Sequence, residues 1–234
     1  MPDLIVNVDY TAVLRHLAPG RQPDPAGVAV RAEMAGAVGS FAHLTTTRRP
    51  ISERDIRVLR EMVQGRFSLG VAPTPEMAGL VLDVKPDTVV IMPERPREAS
   101  AEGGLDLILD RSAIADTITA LRGSNIAAFL SIDPDPEHVK VAHRLNAGGV
   151  QINTNSYAGQ ASPSTRRRML ARIVDTVKMA ARLKLRVLSG GGLDYRTSRP
   201  LGLLKEIEAC VIGHCLMARA LLTGMESAVR EMIM

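Results

Sequence analysis

Eight times along this chain a short run rich in Val, Ile, Leu and Ala gives way to a longer amphipathic stretch. Nothing else in the sequence constrains the fold as tightly. The runs cover residues 4–8, 38–44, 67–71, 88–92, 127–131, 149–153, 185–189 and 209–213. They are short and continuously apolar, as strands buried on both faces must be. The stretches between them carry helix signals. Residues 53–64 place Ile56, Leu59 and Met62 on one face behind Ser52 as an N-cap, and 74–82 begins with a first-turn proline, Pro75. Further helices are expected over 24–35, 112–122, 136–145, 164–183 and 214–234, while 197–206, with Pro200 and Gly202, makes a poor one. Strands alternating with helices in this number predict an α/β (β/α)8 TIM barrel, a single domain over residues 1–234. An open doubly wound sheet is disfavoured, because no glycine-rich dinucleotide or P-loop fingerprint follows a strand.

Composition narrows the class. With 46% hydrophobic and 23% charged residues the chain can bury a full core, which excludes disorder. No apolar run approaches the roughly 18 residues of a membrane span, so no membrane partner is expected. The first ten residues lack a basic flank, so no signal peptide is expected either. The two cysteines, Cys210 and Cys215, supply neither a disulfide framework nor a four-ligand zinc site, and the default compartment is cytoplasmic. A net charge of +4 and only 3% aromatic residues leave few stacking platforms, so no nucleic acid partner is expected. The mild positive excess suits a small anionic ligand or plain surface solvation.

In such a barrel the active site is built at the C-terminal ends of the strands. Those ends carry Asn7 and Asp9, His43, Ser131, Gln151 and Asn153, then Ser189-Gly190-Gly191-Gly192 and Gly213-His214. Glycines after strands 7 and 8 let backbone N–H groups approach an anion, and a helix starting at His214 adds its positive dipole end. The same glycines are also compatible with a tight turn alone. Asp9, read as sitting on the strand beside Asn7, either bonds to structure or points at a ligand. His43 is a candidate acid or base near neutral pH, or a satisfied structural group.

Taken together, Asn7-Val8-Asp9, Pro23-Asp24-Pro25, His43-Leu44, Arg48-Arg49, the segment 53–60, Val90-Ile91-Met92-Pro93-Glu94-Arg95, Glu102-Gly103-Gly104-Leu105-Asp106, Ile212-Gly213-His214 and Thr223-Gly224 resemble the pyridoxine 5′-phosphate synthase family, in order over nearly the whole chain. The resemblance implies a TIM barrel that condenses 1-deoxy-D-xylulose 5-phosphate with 3-amino-2-oxopropyl phosphate. It further implies no metal or organic cofactor, and a homo-oligomer, an octamer in the family. Carried over by position, His43 is a proton-transfer residue. Asn7 and Asp9 match substrate-contacting positions, and Asp9 is grouped with His43 as a catalytic candidate. Ser100 stands for a substrate-binding threonine. Gly192, Gly213 and His214 match the phosphate cradle. Tyr10, Arg21, Gln151 and Gly191 complete the candidate set for substrate and phosphate.

The sequence departs from the family's pattern at the chemical end. Gly70 replaces a catalytic glutamate, Gly191 a catalytic histidine, and Gln151 a glutamate that stabilises the transition state. Thr45 and Pro50 replace an arginine and a histidine that bind the sugar phosphate, Tyr10 replaces a histidine, and Ala18 replaces an arginine, with Arg21 near enough to stand in for it. Two glycines in place of bulky polar groups are expected to enlarge the pocket. Three outcomes are open: a diverged barrel that still binds a phosphorylated small molecule; an active synthase using Tyr10, Glu102 or Tyr157 instead; or a non-catalytic regulatory paralogue.

Overall fold

The computed structural model describes residues 2–17, 20–94 and 103–233. Eight parallel strands close into a barrel in sequence order, with β8 pairing back onto β1. They are β1 Asp3–Asn7, β2 Gly39–His43, β3 Arg66–Val71, β4 Thr88–Ile91, β5 Ala127–Ile132, β6 Gly149–Asn153, β7 Arg186–Gly190 and β8 Ala209–Ile212. Each lies within one residue of the bounds expected from its apolar run.

Side chains alternate along each strand. Ile5, Phe41, Val90, Phe129, Leu188, Ala209 and Val211 fill the interior of the ring. Their neighbours, such as Leu4, Val6, Leu69, Val89, Leu130 and Val150, face the helices and form the larger outer core. The barrel is therefore packed through its middle, and only its ends are available for chemistry.

The helices are α1 Asp9–His16, α2 Pro25–Met34, α3 Glu53–Met62, α4 Pro75–Val84, α5 Arg111–Leu121, α6 Pro136–Arg144, α7 Asn155–Ala158, α8 Pro163–Arg182, α9 Ser198–Leu201, α10 His214–Thr223 and α11 Met225–Ile233. Four of them combine a first-turn proline with a capping oxygen: Asp24 for α2, Thr74 for α4, Asp135 for α6 and Ser162 for α8. Helix α3 has a full capping box, in which Ser52 and Asp55 satisfy each other's backbone N–H groups. Asp55 also takes a bidentate pair of bonds from Arg15, both at 2.7 Å, which ties α3 to α1.

Two expectations need correction. Asp9 is not on β1 but is the first residue of α1, because Asn7 Oδ1 accepts the Asp9 N–H at 2.8 Å and turns strand into helix within two residues. The segment 214–234 is two helices, not one, broken at Gly224, whose φ of 81° lies outside the helical region. The segment 197–206, expected to make a poor helix, forms only the short α9.

The floor of the barrel, at the strand N-termini, is closed by ions. Glu208 accepts two bonds from Arg186, at 2.8 and 2.6 Å, and also pairs with Arg66. The Arg186 guanidinium lies 5.2 Å over the Phe129 ring centre. Among the described residues, no helix is long and apolar enough to cross a membrane.

Candidate active site at the mouth of the barrel

A cavity of about 390 Å³ opens at the C-terminal ends of the strands. Of the residues singled out by sequence, Asn7, Asp9, Tyr10, His43, Gln151, Gly191, Gly192, Gly213 and His214 all line it. Arg21 is exposed and does not. Ser100, Glu102 and Ala18 lie outside the described residues. Tyr157 is buried, with its hydroxyl donating to the Thr197 carbonyl, and takes no part in the cavity.

Asp9 and His43 are joined through the backbone: the His43 N–H donates to Asp9 Oδ1 at 2.8 Å. Burial pushes the Asp9 carboxyl up to about 7, against the lowering effect of its bonds to His43 and Asn7. Burial also lowers the basicity of His43, partly opposed by the negative charge of Glu94. His43 Nε2 is buried with no hydrogen-bond partner, and so is Gln151 Oε1. Buried polar atoms are almost always paired, so two orphans on side chains that line one cavity are candidates to donate to or accept from an occupant. Tyr10 meets His214 edge to face, with ring centres 5.1 Å apart. Its phenol is pushed up by burial and by the charge of Asp9.

The loop after β7 runs through left-handed backbone. Gly191 has φ +111° and Gly192 φ +67°. A side chain at 191 would be strained by its backbone and would begin 3.0 Å from Asn153 Oδ1. Thr154 fixes the loop by donating to the Gly191 carbonyl at 2.6 Å. Gly213 caps α10 and passes so close to β1 that a Cβ there would sit 3.0 Å from the Asn7 carbonyl oxygen. Gly213, His214 and Cys215, at the start of α10, thus line the mouth beside the β7 loop.

Gly70 does not open space, contrary to expectation. A Cβ built there would lie 2.7 Å from both Met92 Sδ and Phe41 Cζ, and 3.3 Å from His43 Cδ2. The room beside β3 is taken by two apolar side chains. Phe41 and Met92 were not among the sequence candidates. The signal was the two-residue period: Phe41 shares a face with His43, and Met92 with the interior residue Val90. Ser131, Asn153 and Asn155, at or just after the ends of β5 and β6, also line the cavity, as do Asp194 and Cys215. Burial and the charge of Asp194 push the Cys215 thiol up to about 12, so it stays protonated. Arg48, after β2, is held by Glu53 at 2.8 Å and Glu76 at 2.5 Å, away from the cavity. Among the described residues, no group of three or more His, Cys, Asp or Glu is placed to hold a metal ion.

Residues 4–234 match the family described as Pyridoxal phosphate biosynthesis protein PdxJ. The chain belongs to the PdxJ family. A pyridoxine 5′-phosphate synthase of Desulforapulum autotrophicum is 43% identical over 233 residues, covering 100% of this chain and 98% of the relative. The homologous synthase of Syntrophobacter fumaroxidans is 41% identical over the same length, with the same coverage. Among solved structures, this PdxJ-family barrel is similar to the phosphoribosyl anthranilate isomerase of Thermus thermophilus, with TM-score 0.61 and 13% identity over 98% of this chain and 96% of that one. It is also similar to the tryptophan synthase A-subunit of Pyrococcus furiosus, with TM-score 0.63 and 14% identity over 99% and 97%. At these identities the two structures speak for the fold alone.

Proposed function

We propose that this chain is a diverged pyridoxine 5′-phosphate synthase-like protein, one barrel domain over residues 1–234, that holds a phosphorylated small molecule while its chemistry departs from that of its relatives. His43 is the main acid/base and Asp9 orients or polarises the ligand. The amides around Gly192, Gly213 and His214 hold the phosphate, with Asn7, Tyr10, Gln151 and Gly191 around the rest of it. The observation that carries this reading is the crowding at Gly70. The family resemblance places a glutamate there, and here Phe41 and Met92 stand within 2.7 Å of where its first carbon would be. At position 191, where the resemblance places a histidine, the backbone has φ +111°. Each missing acid or base removes about 10²–10⁴-fold of rate, so the condensation is expected to be slowed by orders of magnitude.

The test is an assay with 1-deoxy-D-xylulose 5-phosphate and 3-amino-2-oxopropyl phosphate, scored for pyridoxine 5′-phosphate beside the Desulforapulum relative. No product at high protein concentration, with saturable binding of a phosphate ester, is the expected result. Product at a rate matching the relative overturns the divergence and favours the second reading, an active synthase. That reading is supported by 43% identity over the full length and by Tyr10, whose ring lines the cavity against His214. The proposal extends to a cytoplasmic protein that assembles with copies of itself, supported by Leu221 and Leu222 of α10, which are 70% and 81% exposed.

A further inference from the structure

The two halves of the mouth differ in chemistry. The half built by β6, β7, β8 and α1 presents amides, carbonyls and polar side chains, among them Gln151, Asn153 and the two glycines after β7. On the opposite side, among the described residues, β3 contributes no side chain to the cavity, Met92 lines it just after β4 with Phe41 beside it on β2, and β5 adds Ser131. The register explains this. His43 pairs with Gly70, and Gly70 with Val90. The bare Gly70 lies between strands whose inward side chains close over it, and Met92 packs on the interior apolar cluster that includes Phe41 and Val90. Phe41 is 2% exposed, so its ring is fixed, while Met92 is half-buried, lines the cavity and rests its thioether against Gly70. His43 marks the boundary between the halves.

We infer that Met92 and Phe41 form an apolar subsite that determines specificity, taking a hydrocarbon portion of the ligand at the end remote from its phosphate. The inference rests on the phosphate grip proposed above. A charged or heavily hydroxylated group placed against these two side chains would give up water without gaining a hydrogen bond. A methyl, methylene or ring carbon there removes apolar surface from water and touches a thioether that adapts its shape. The ligand class is therefore a phosphate monoester with an apolar tail and, between tail and phosphate, a group that can donate to Gln151 Oε1 or exchange a proton with His43 Nε2.

The experiment measures binding of three probes to the intact protein by calorimetry: inorganic phosphate, glycerol 3-phosphate and n-butyl phosphate. Each methylene that leaves water adds about fourfold in affinity. Butyl phosphate is expected to bind about tenfold tighter than glycerol 3-phosphate, with inorganic phosphate weakest but competing with both. Met92→Ser should reduce the butyl preference to under about twofold, and Met92→Leu should retain it. If inorganic phosphate binds and the two esters bind equally, the apolar subsite is wrong and the phosphate grip stands. If none of the three binds, the grip itself is wrong and the subsite's ligand class falls with it. The wild-type probe series decides the matter even if a Met92 variant does not fold.

Discussion

The floor and the mouth of this barrel treat buried polarity in opposite ways. At the floor, Arg66, Glu208 and Arg186 satisfy one another, and the Arg186 guanidinium also covers Phe129. Arg66 Nη1 is left without a partner there, as are Ser40 Oγ and Ser68 Oγ on β2 and β3. At the mouth, the Asp9 carboxyl is pushed up to about 7, and His43 Nε2 and Gln151 Oε1 are buried without partners. Orphaned polar atoms cost stability, so a pair of them on side chains around one cavity points to something bound there. Charge spent on holding strands together finds a partner within the chain, whereas charge kept for a ligand does not. The contrast makes specific claims about which substitutions cost stability and which cost function.

The largest effect is expected at the mouth. His43→Ala should slow proton exchange by about 10²–10⁴-fold, read as deuterium uptake from solvent into a bound phosphorylated ketone. The thermal midpoint should stay within a few degrees, since the imidazole bonds to nothing through Nε2. An unchanged exchange rate would remove His43 from the acid/base role and erase the functional half of the contrast.

Next comes the floor. Glu208→Ala leaves two guanidiniums facing each other with their shared carboxylate gone. Their side chains are 24% and 43% exposed, so water softens the loss to about 2 kcal/mol, below that of a fully buried pair. Chemical denaturation reads this directly, and affinity for phosphate esters should not change. A loss of affinity without a loss of stability would show that the floor and mouth are not separate.

Asp9 gives a pH-dependent test. Its folded carboxyl keeps a proton up to about pH 7, whereas an unfolded one releases it near 3.8. Folding therefore takes up a proton between those values, and the Asp9 contribution to stability falls as pH rises through that window, by up to about 4 kcal/mol. His43 works the other way: its lowered basicity favours the fold above about pH 6.5, and that advantage is lost as pH falls below it. The two slopes overlap, so the informative quantity is the stability difference between wild type and Asp9→Asn. That difference should move steadily toward the variant from about pH 4 to 7 and then level off. A flat difference would mean that Asp9 is hydrated and that the mouth carries no such cost.

How much of this was legible in the sequence depends on the range of the interaction involved. The strands were, because burial on both faces imposes a run of Val, Ile and Leu that nothing else explains. The ring of candidate residues at the mouth followed from strand order, and nine of them line one cavity. Helix α1 was missed because its start is set by one side-chain bond, Asn7 to Asp9, rather than by an apolar period. The filling of Gly70 was missed for a different reason. It depends on Phe41 and Met92 converging across three strands, which follows from the register and not from any local pattern. Loss of a side chain can be read from one position, but the neighbours that then move into the space belong to the packing.

The smallest expected effect refines the comparison at the N-terminus of α3, which lies on the mouth side of the barrel but outside the cavity. Ser52 Oγ accepts from the Asp55 N–H at 3.3 Å and donates to Asp55 Oδ2 at 2.7 Å, while that carboxylate also holds Arg15. Ser52→Ala removes the cap and leaves the Arg15 pair, so the cost should be about 1 kcal/mol, or roughly 2–4 °C in midpoint for a domain of this size. Phosphate-ester affinity should be untouched, because every group at Ser52 is already satisfied within the chain. If affinity falls with stability, then nearness to the mouth is enough to couple a residue to the ligand. In that case the orphaned atoms of His43 and Gln151 lose their special standing.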